Sequence, residues 1–382
     1  MQRNLTLKTT IKDIVKSLKP SLINLSHDIW SHPEIALEEF RTRDAICDYL
    51  SAHGFNIKKS IGGIKTSFIA TYGHKPHPAI AYLSEMDALP ELGHACGHNI
   101  NACISAGAAV ALSKSVNMDK CTIAVIGTPA EEIGFGKPEL IRHGIFKPFD
   151  AAIMSHASTK RMSFRCMLAL KKVKISFKGK SAHAASYPEQ GKDALSALIL
   201  TINNINAKRS MFKPYMHANF IITHGGTAPN IIPDFAEAYY YVRSKDLKEL
   251  DELMEHVRTA VKGAGLATGT KYNIIEQGYT QYPFKINNAL VRVYDDVLKE
   301  LGLKKTQTDP CEGMGSSDIG NLSYVIPTLH ASTPIGKKDV HIHTNEFKML
   351  AVSKTADSGI LEGATTLGMT GCKIINNPGL LS

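Results

Sequence analysis

Cys96 and His98 place a thiol and an imidazole on either side of Gly97, so both side chains can turn toward one point while the backbone passes close by. A soft sulfur and a borderline nitrogen at one point are metal-ligand chemistry. The triplet closes a polar run from Glu85 to Asn99, Glu-Met-Asp-Ala-Leu-Pro-Glu-Leu-Gly-His-Ala-Cys-Gly-His-Asn. Alone it is a weak signal, and its weight comes from what lies downstream. Glu131 and Glu132 are neighbouring carboxylates. Such a pair is ordinarily a solvated turn, yet one member could coordinate a metal while the other moves protons. His156 follows the apolar run Ala151 to Met154, and His341-Ile342-His343 adds imidazoles near the end of the chain.

These residues need elements to position them. Ala79 to Leu83 reads as a buried strand and Ile100 to Leu112 as an Ala-rich helix, which makes the Glu85 run a strand-to-helix loop. In an open α/β sheet, ligands gather at such loops. Thr122 to Gly127 is a further strand, ending just before Glu131, and Ser67 to Tyr72 is another. Helical spacing runs from Ile11 to Trp30, interrupted by Pro20, and a second amphipathic helix ends near His53-Gly54, with His32 a turn residue beside Pro33. This alternation predicts a mostly parallel sheet. From Leu168 the pattern changes. Lys172 to Lys178 alternates polar and apolar residues, as an antiparallel strand does. A helix (193–208), strands (217–223 and 235–243), a helix (247–263) and a strand (272–276) follow, giving a small α+β insert with helices on one face. The first domain resumes with a helix over 289–301, a strand over 325–330 and a closing helix to about Leu367. The expected architecture is α/β. A mostly parallel, mixed-sheet catalytic domain (1–167 and 284–382) receives a ferredoxin-like lid or dimerisation domain (168–283).

With 382 residues, 43% hydrophobic and 21% charged, the chain has the composition of a globular protein large enough for two cores. The formal charge of +9 is spread along the sequence without a basic block, which argues against nucleic acid and membrane partners and leaves a mild bias toward anionic substrates. Seven irregularly spaced cysteines argue against a disulfide framework. Cys47, Cys103, Cys121, Cys166, Cys311 and Cys372 read as small buried hydrophobes. No apolar stretch has the length of a signal peptide or a membrane span, and the expected location is the cytoplasm.

Taken in order, Asp87-Ala88-Leu89-Pro90, His94-Ala95-Cys96-Gly97-His98, Pro129-Ala130-Glu131-Glu132, His156, Ser181-Ala182-His183, Gly225-Gly226-Thr227-Ala228-Pro229-Asn230 and His343-Thr344-Asn345-Glu346-Phe347 resemble the two-metal aminoacylase and carboxypeptidase G family. The resemblance is to its amidohydrolase branch, which includes auxin-conjugate hydrolases, aminobenzoyl-glutamate hydrolase and β-alanyl-lysine dipeptidase-like proteins. It implies that Cys96, His98, Glu132, His156 and His343 ligate two divalent ions per subunit, zinc or manganese with cobalt also compatible, and that Cys96 bridges them. It makes Glu131 the general base and Asp87 a carboxylate that orients a ligand. His183 would steady the oxyanion from a partner subunit, and Asn230 and Arg243 would hold the substrate's carboxylate, in a homodimer formed through the lid.

Two departures stand out. The wider family has a metal-binding histidine where this chain has Glu85, and many members of the branch have Asp where this chain has Asn99. Asn99 and the Gly315 to Asn321 pattern point to the β-alanyl-lysine dipeptidase-like group. The implied reaction is metal-dependent hydrolysis of an amide bond in a small carboxylate-bearing dipeptide, or alternatively in an N-acyl amino acid or aminobenzoyl-glutamate. Two other classes compete. A Cys-His nucleophilic hydrolase would leave the carboxylate pair without a job, and a family member acting only as a small-molecule binder would not need the base.

Overall fold

The computed structural model describes residues 11–74, 76–337 and 340–381. The chain divides into two compact units, Met1–Cys166 with Phe284–Ser382, and Met167–Pro283.

The first unit is built on a six-stranded sheet in the order β1-β2-β4-β3-β5-β10. Its strands are β1 (Asn56–Lys59), β2 (Phe68–Gly73), β3 (Ala79–Glu85), β4 (Thr122–Thr128), β5 (Ala151–Ser158) and β10 (Thr328–Pro334). β4, β3, β5 and β10 run parallel, while β2 is antiparallel to both β1 and β4. Every residue of β3 is buried, as expected of a strand covered on both faces. Helix α4 (His98–Ser113) is buried along its whole length. Alanine lets it form and lets neighbours approach on all sides. Leu22 of α2 (Lys19–Ser31) and Ala364 of α11 (Lys354–Asn376) come so near Gly107 that a Cβ there would stand 2.8 and 3.2 Å from them.

Helix α1 spans 11–17, and Pro20 opens α2, which is the interruption expected at that residue. α3 (Phe40–Ala52) stops at His53, and His32 caps the end of α2 at the surface. α5 (Gly136–Arg142), α8 (Asn288–Glu300), the short α9 (Ile319–Leu322) and α10 (Asn345–Leu350) complete this unit.

The second unit runs β6 (Ala169–Lys178), α6 (Ala194–Ala207), β7 (His217–His224), β8 (Phe235–Ser244), α7 (Leu247–Thr268), β9 (Lys271–Gln281). All its pairings are antiparallel, in the order β7-β8-β6-β9. That is the ferredoxin-like arrangement. One face of the sheet buries Val173, Ile175, Phe177, Ala238 and Tyr240 in a core shared with α6 and α7.

Several local expectations need correction. His156 lies within β5, since pairing with β10 carries that strand to Ser158. The strand expected from Val325 begins at Thr328, because residues 322–326 close a turn in which the N–H groups of Val325 and Ile326 donate to the Leu322 carbonyl. The closing helix is two helices, and Ser353 caps the second by accepting from the Ala356 N–H at 3.2 Å. Cys166 and Cys311 are joined as a disulfide, with Cα atoms 4.8 Å apart. At a sequence separation of 145 no spacing signal could announce that pair. Cys47, Cys96, Cys103, Cys121 and Cys372 are free and buried. Among the described residues, no helix is long and apolar enough to cross a membrane.

Candidate metal centre

β4, β3 and β5 are neighbours, and in their register Glu85 at the end of β3 lies level with Thr128 at the end of β4. The three segments carrying Asp87, Glu131–Glu132 and His156 therefore emerge side by side at one edge of the sheet. Gly97 is the hinge of the first. Its φ is +83°, and a Cβ would stand 2.7 Å from Cβ of Ala157, so both conformation and space exclude a side chain. The second loop is equally constrained. Ala130 has φ +59° and donates its N–H to Oε1 of Glu39 at 2.8 Å, and a Cβ at Gly136 would collide with the Pro129 carbonyl at 1.8 Å. His343 has φ +65° and is tied to the first loop by donating its N–H to the Ala95 carbonyl at 2.8 Å.

Potential ligand atoms converge in two groups that share one sulfur. Cys96, His98 and His156 form one group and Cys96, Glu132 and His343 the other, the atoms of each lying within 4.8 Å of one another. Sγ of Cys96 is 3.5 Å from Nε2 of His156, and Nε2 of His343 is 3.5 Å from Oε2 of Glu132. His98 directs Nδ1 at the Asp87 carbonyl (2.7 Å) and His156 directs Nδ1 at the Ala157 carbonyl (2.8 Å). Each ring thus engages backbone through Nδ1 and turns Nε2 into the cluster. Nε2 of His98 and Oε1 of Glu132 are sealed from solvent without a hydrogen-bond partner among the described residues. Buried polar atoms left this way call for a partner. A thiolate, imidazoles and a carboxylate around such a gap suit a borderline divalent ion.

The electrostatics show what a bound cation would have to offset. Burial pushes the Cys96 thiol up, and Glu132 adds to the effect. Burial works against a charged His98, but Cys96, Asp87 and Glu85 outweigh it and raise its pKa, and the same anionic surroundings favour a divalent cation. Burial lowers His156, keeping it neutral. The two glutamates separate. Burial, with Glu85 and Glu132 beside it, raises Glu131, whereas His343 and His98 overcome burial and lower Glu132. Asp87 braces both loops, accepting from the Glu132 N–H through Oδ2 at 2.9 Å and placing Oδ1 3.3 Å from Nδ1 of His98.

Asn99 faces elsewhere. Its amide donates to Oγ of Ser26 at 2.9 Å and to the Ala351 carbonyl at 3.2 Å, and the latter bond is one an Asp carboxylate could not donate. Glu85 is not left vacant. Lys137, fully buried, donates from Nζ to Glu85 Oε1 at 2.7 Å and to Asp318 Oδ1 at 2.5 Å. Burial would discharge that amine, but Asp318 and Glu85 raise its pKa instead. Sequence reasoning passed over Lys137. Its one signal was a lysine following Gly136 in a segment whose neighbours bury.

The second unit holds His183, Asn230 and Arg243. His183 is exposed, and its Nδ1 accepts from the N–H groups of Ala185 (3.3 Å) and Ser186 (3.1 Å). It lies beside Asn230, whose carbonyl accepts the Ala184 N–H at 3.0 Å, and it bridges to Ile231. Arg243 stacks its guanidinium over Tyr241 at 5.0 Å, and burial lowers its pKa. It is not near the other two. Phe235 opens β8 opposite Lys178, beside the segments bearing His183 and Asn230, whereas Arg243 is eight residues along that strand, roughly 26 Å away at the usual rise.

Known proteins resemble this chain along most of its length. Residues 169–268 match the peptidase dimerisation domain of the M20 family. The chain is 35% identical over 373 residues to the Xaa-Arg dipeptidase of Mus musculus, covering 94% of this chain and 86% of that protein. It is 31% identical over 281 residues to a component of the p-aminobenzoyl-glutamate hydrolase of Escherichia coli, covering 68% of this chain and 58% of that one. Among solved structures, a dinuclear metal binding peptidase of the M20 family from Bacillus subtilis superposes with a TM-score of 0.73 at 20% identity, covering 94% of this chain and 99% of that one.

Proposed function

The chain belongs to the M20 metallopeptidase family and is a metal-dependent amide hydrolase, and from that premise we propose that it is a dipeptidase acting on small dipeptides with a free C-terminal carboxylate. The relative that matches across nearly the whole chain is named a dipeptidase, which favours a dipeptide over an N-acyl amino acid. The match to the aminobenzoyl-glutamate hydrolase keeps aminobenzoyl-glutamate as the second reading. The observation that carries the metal-dependent chemistry is the double convergence on Cys96. Two ligand groups sharing one thiolate are what a dinuclear centre needs, with Cys96, His98 and His156 toward one ion and Cys96, Glu132 and His343 toward the other. Zinc or manganese suits this donor set, and cobalt is also compatible. When bound, such ions polarise the scissile carbonyl and make water a better nucleophile at neutral pH.

The remaining work falls to the chain. Glu131, raised by burial and its acidic neighbours, is the base that takes the proton of the attacking water and returns it to the leaving amine. His183 donates to the developing oxyanion, and Arg243 grips the substrate carboxylate with its planar fork. Asn230, which lies beside His183, shares in holding the substrate carboxylate. The assembly is a homodimer through the second unit, and the working compartment is the cytoplasm.

Glu131→Gln and Glu132→Gln test this reading together. The first is expected to keep its metal and lose ~10² to 10⁴-fold or more in turnover, and the second to lose metal. Reversed behaviour would swap the roles, and full activity in metal-free protein would end the proposal.

A further inference from the structure

Glu85, Glu131 and Asp318 bring one oxygen each within 4.8 Å of one another. Like charges that close do not all stay ionised unless a cation stands among them. Here the chain provides its own. Lys137 donates from Nζ to Glu85 and Asp318, and its backbone N–H donates to the second oxygen of Asp318 at 3.0 Å. Asn101 donates to the second oxygen of Glu85 at 3.0 Å, and its Oδ1 accepts the Ala157 N–H at 2.8 Å. All four oxygens of Glu85 and Asp318 are thereby held. The Glu131 carboxylate makes no hydrogen bond among the described residues, and its ion contact is with Nε2 of His98 at 3.9 Å.

We propose that Lys137 is a positioning residue, the built-in cation that pins Glu85 and Asp318 and so leaves Glu131 the one unengaged carboxylate of the three, free to move protons. The inference rests on the reading of Glu131 as base. Its logic is positional. Lys137 is the second residue of α5, five residues beyond Glu132, and Asn101 is three residues beyond His98, so the pins ride on the segments that carry the proposed base and ligands. Ala157 follows His156 directly, so the same chain of contacts reaches the third segment. Without the ammonium, Glu85 would lose its hold on Oε1 while Oε2 stands 3.6 Å from Nε2 of His98. It could then compete for the nitrogen or for the ion bound there.

The test is a double-mutant cycle of Lys137→Met with Glu85→Gln. It reads kcat and KM on a dipeptide, metal content by elemental analysis, and zinc affinity by chelator competition. Lys137→Met is expected to lower kcat by ~10²-fold, the lower end of what a positioned base contributes, with KM nearly unchanged and zinc bound more weakly. When Glu85 is already Gln, the same change should cost no more than about tenfold, since neutralising the carboxylate removes what the ammonium was needed to restrain. A Lys137→Met protein with wild-type metal content and kcat would overturn the inference. So would a folded, metal-loaded double variant in which the loss of Lys137 costs as much as in the wild-type background. If Lys137→Met alone does not fold, the double variant measured against Glu85→Gln decides: a loss in kcat well beyond about tenfold overturns the inference. Glu131→Gln serves as the control. Retained activity there would sink the base assignment, whereas its loss beside an unaffected Lys137→Met would sink only the role given to Lys137.

Discussion

Asp87→Ala probes the centre without touching a proposed ligand. The carboxylate does two things, taking the Glu132 N–H at 2.9 Å through one oxygen and setting the other 3.3 Å from Nδ1 of His98. His98 keeps its tautomer in the variant, because the stronger contact of Nδ1, at 2.7 Å, is to the backbone carbonyl of the same residue. What disappears is a charge-assisted bond to the loop carrying Glu132 and a negative charge beside an imidazole that must face a cation. A hydrogen bond to a charged group is worth ~1.5–3 kcal/mol. Loss of a residue that orients a ligand typically lowers metal affinity ~10 to 100-fold, or about 1.4–2.7 kcal/mol, so the two estimates agree. Asp87→Asn should fall nearer tenfold, since its amide oxygen can still accept from Glu132 while its NH₂ opposes the N–H of His98. Zinc competition against a chromogenic chelator gives the affinities directly. An Asp87→Ala protein whose affinity stays within twofold of wild type would refute the bracing role, whatever happened to its turnover.

Cys96→Ala should weaken both classes of bound metal, because its sulfur belongs to both ligand groups, and loss of one class alone would show that it does not bridge. Acid should destabilise the fold through His94 and His330, which are 1% and 5% exposed and which burial lowers to about 3 each. The unfolded chain protonates them near 6.5, so it binds more protons than the native state below that pH, and stability falls by about 2 kcal/mol per histidine from pH 7 to 5. His330→Gln should remove about half of that joint loss in urea titrations at the two pH values, and an unchanged loss would refute the assignment. His183→Ala should lower turnover ~10² to 10³-fold with metal content unchanged, whereas Arg243→Ala should chiefly raise KM for substrates with a free carboxylate and spare amidated ones. Mixed dimers of His183→Ala and Glu131→Gln protomers should regain partial activity, and confirmed mixed dimers without recovery would confine His183 to its own chain.

What the sequence disclosed and what it hid divide along physical lines. Buried strands such as Ala79–Glu85 and the all-buried helix from His98 announce themselves by composition, and the alternation in β6 fixes its half-buried face. The Cys-Gly-His run was legible only together with the downstream carboxylates and histidines, because its spacing permits convergence and the glycine at φ +83° achieves it. β1 escaped notice because four mostly polar edge residues carry no periodic signal. The Lys137 network escaped for a different reason. Its members Glu85, Asn101, Lys137 and Asp318 lie far apart in sequence, and buried ionic partners leave no local pattern. Asn99 shows the same limit. A sequence reading notes the exchange of Asp for Asn, and only the structure shows that the amide ties α4 to Ser26 and Ala351.

The second unit adds a constraint that composition could not express. His183 and Asn230 share one end of its sheet, while Arg243 stands roughly 26 Å along β8 toward the other end, a span of several dipeptide lengths. One rigid copy of this sheet therefore cannot present all three to a single small substrate. Either only one of the two, Arg243 or the His183–Asn230 pair, serves a given substrate, or the two come from different copies. β7 favours the second alternative. It is an edge strand of the sheet, and it exposes Ile221 and Ile222, apolar side chains that a free edge ordinarily replaces with charge. In the proposed homodimer each substrate would meet Arg243 from one chain and His183 with Asn230 from the other. Dissociation would then abolish turnover while leaving both metal centres intact, because every proposed ligand resides in the first unit of a single chain.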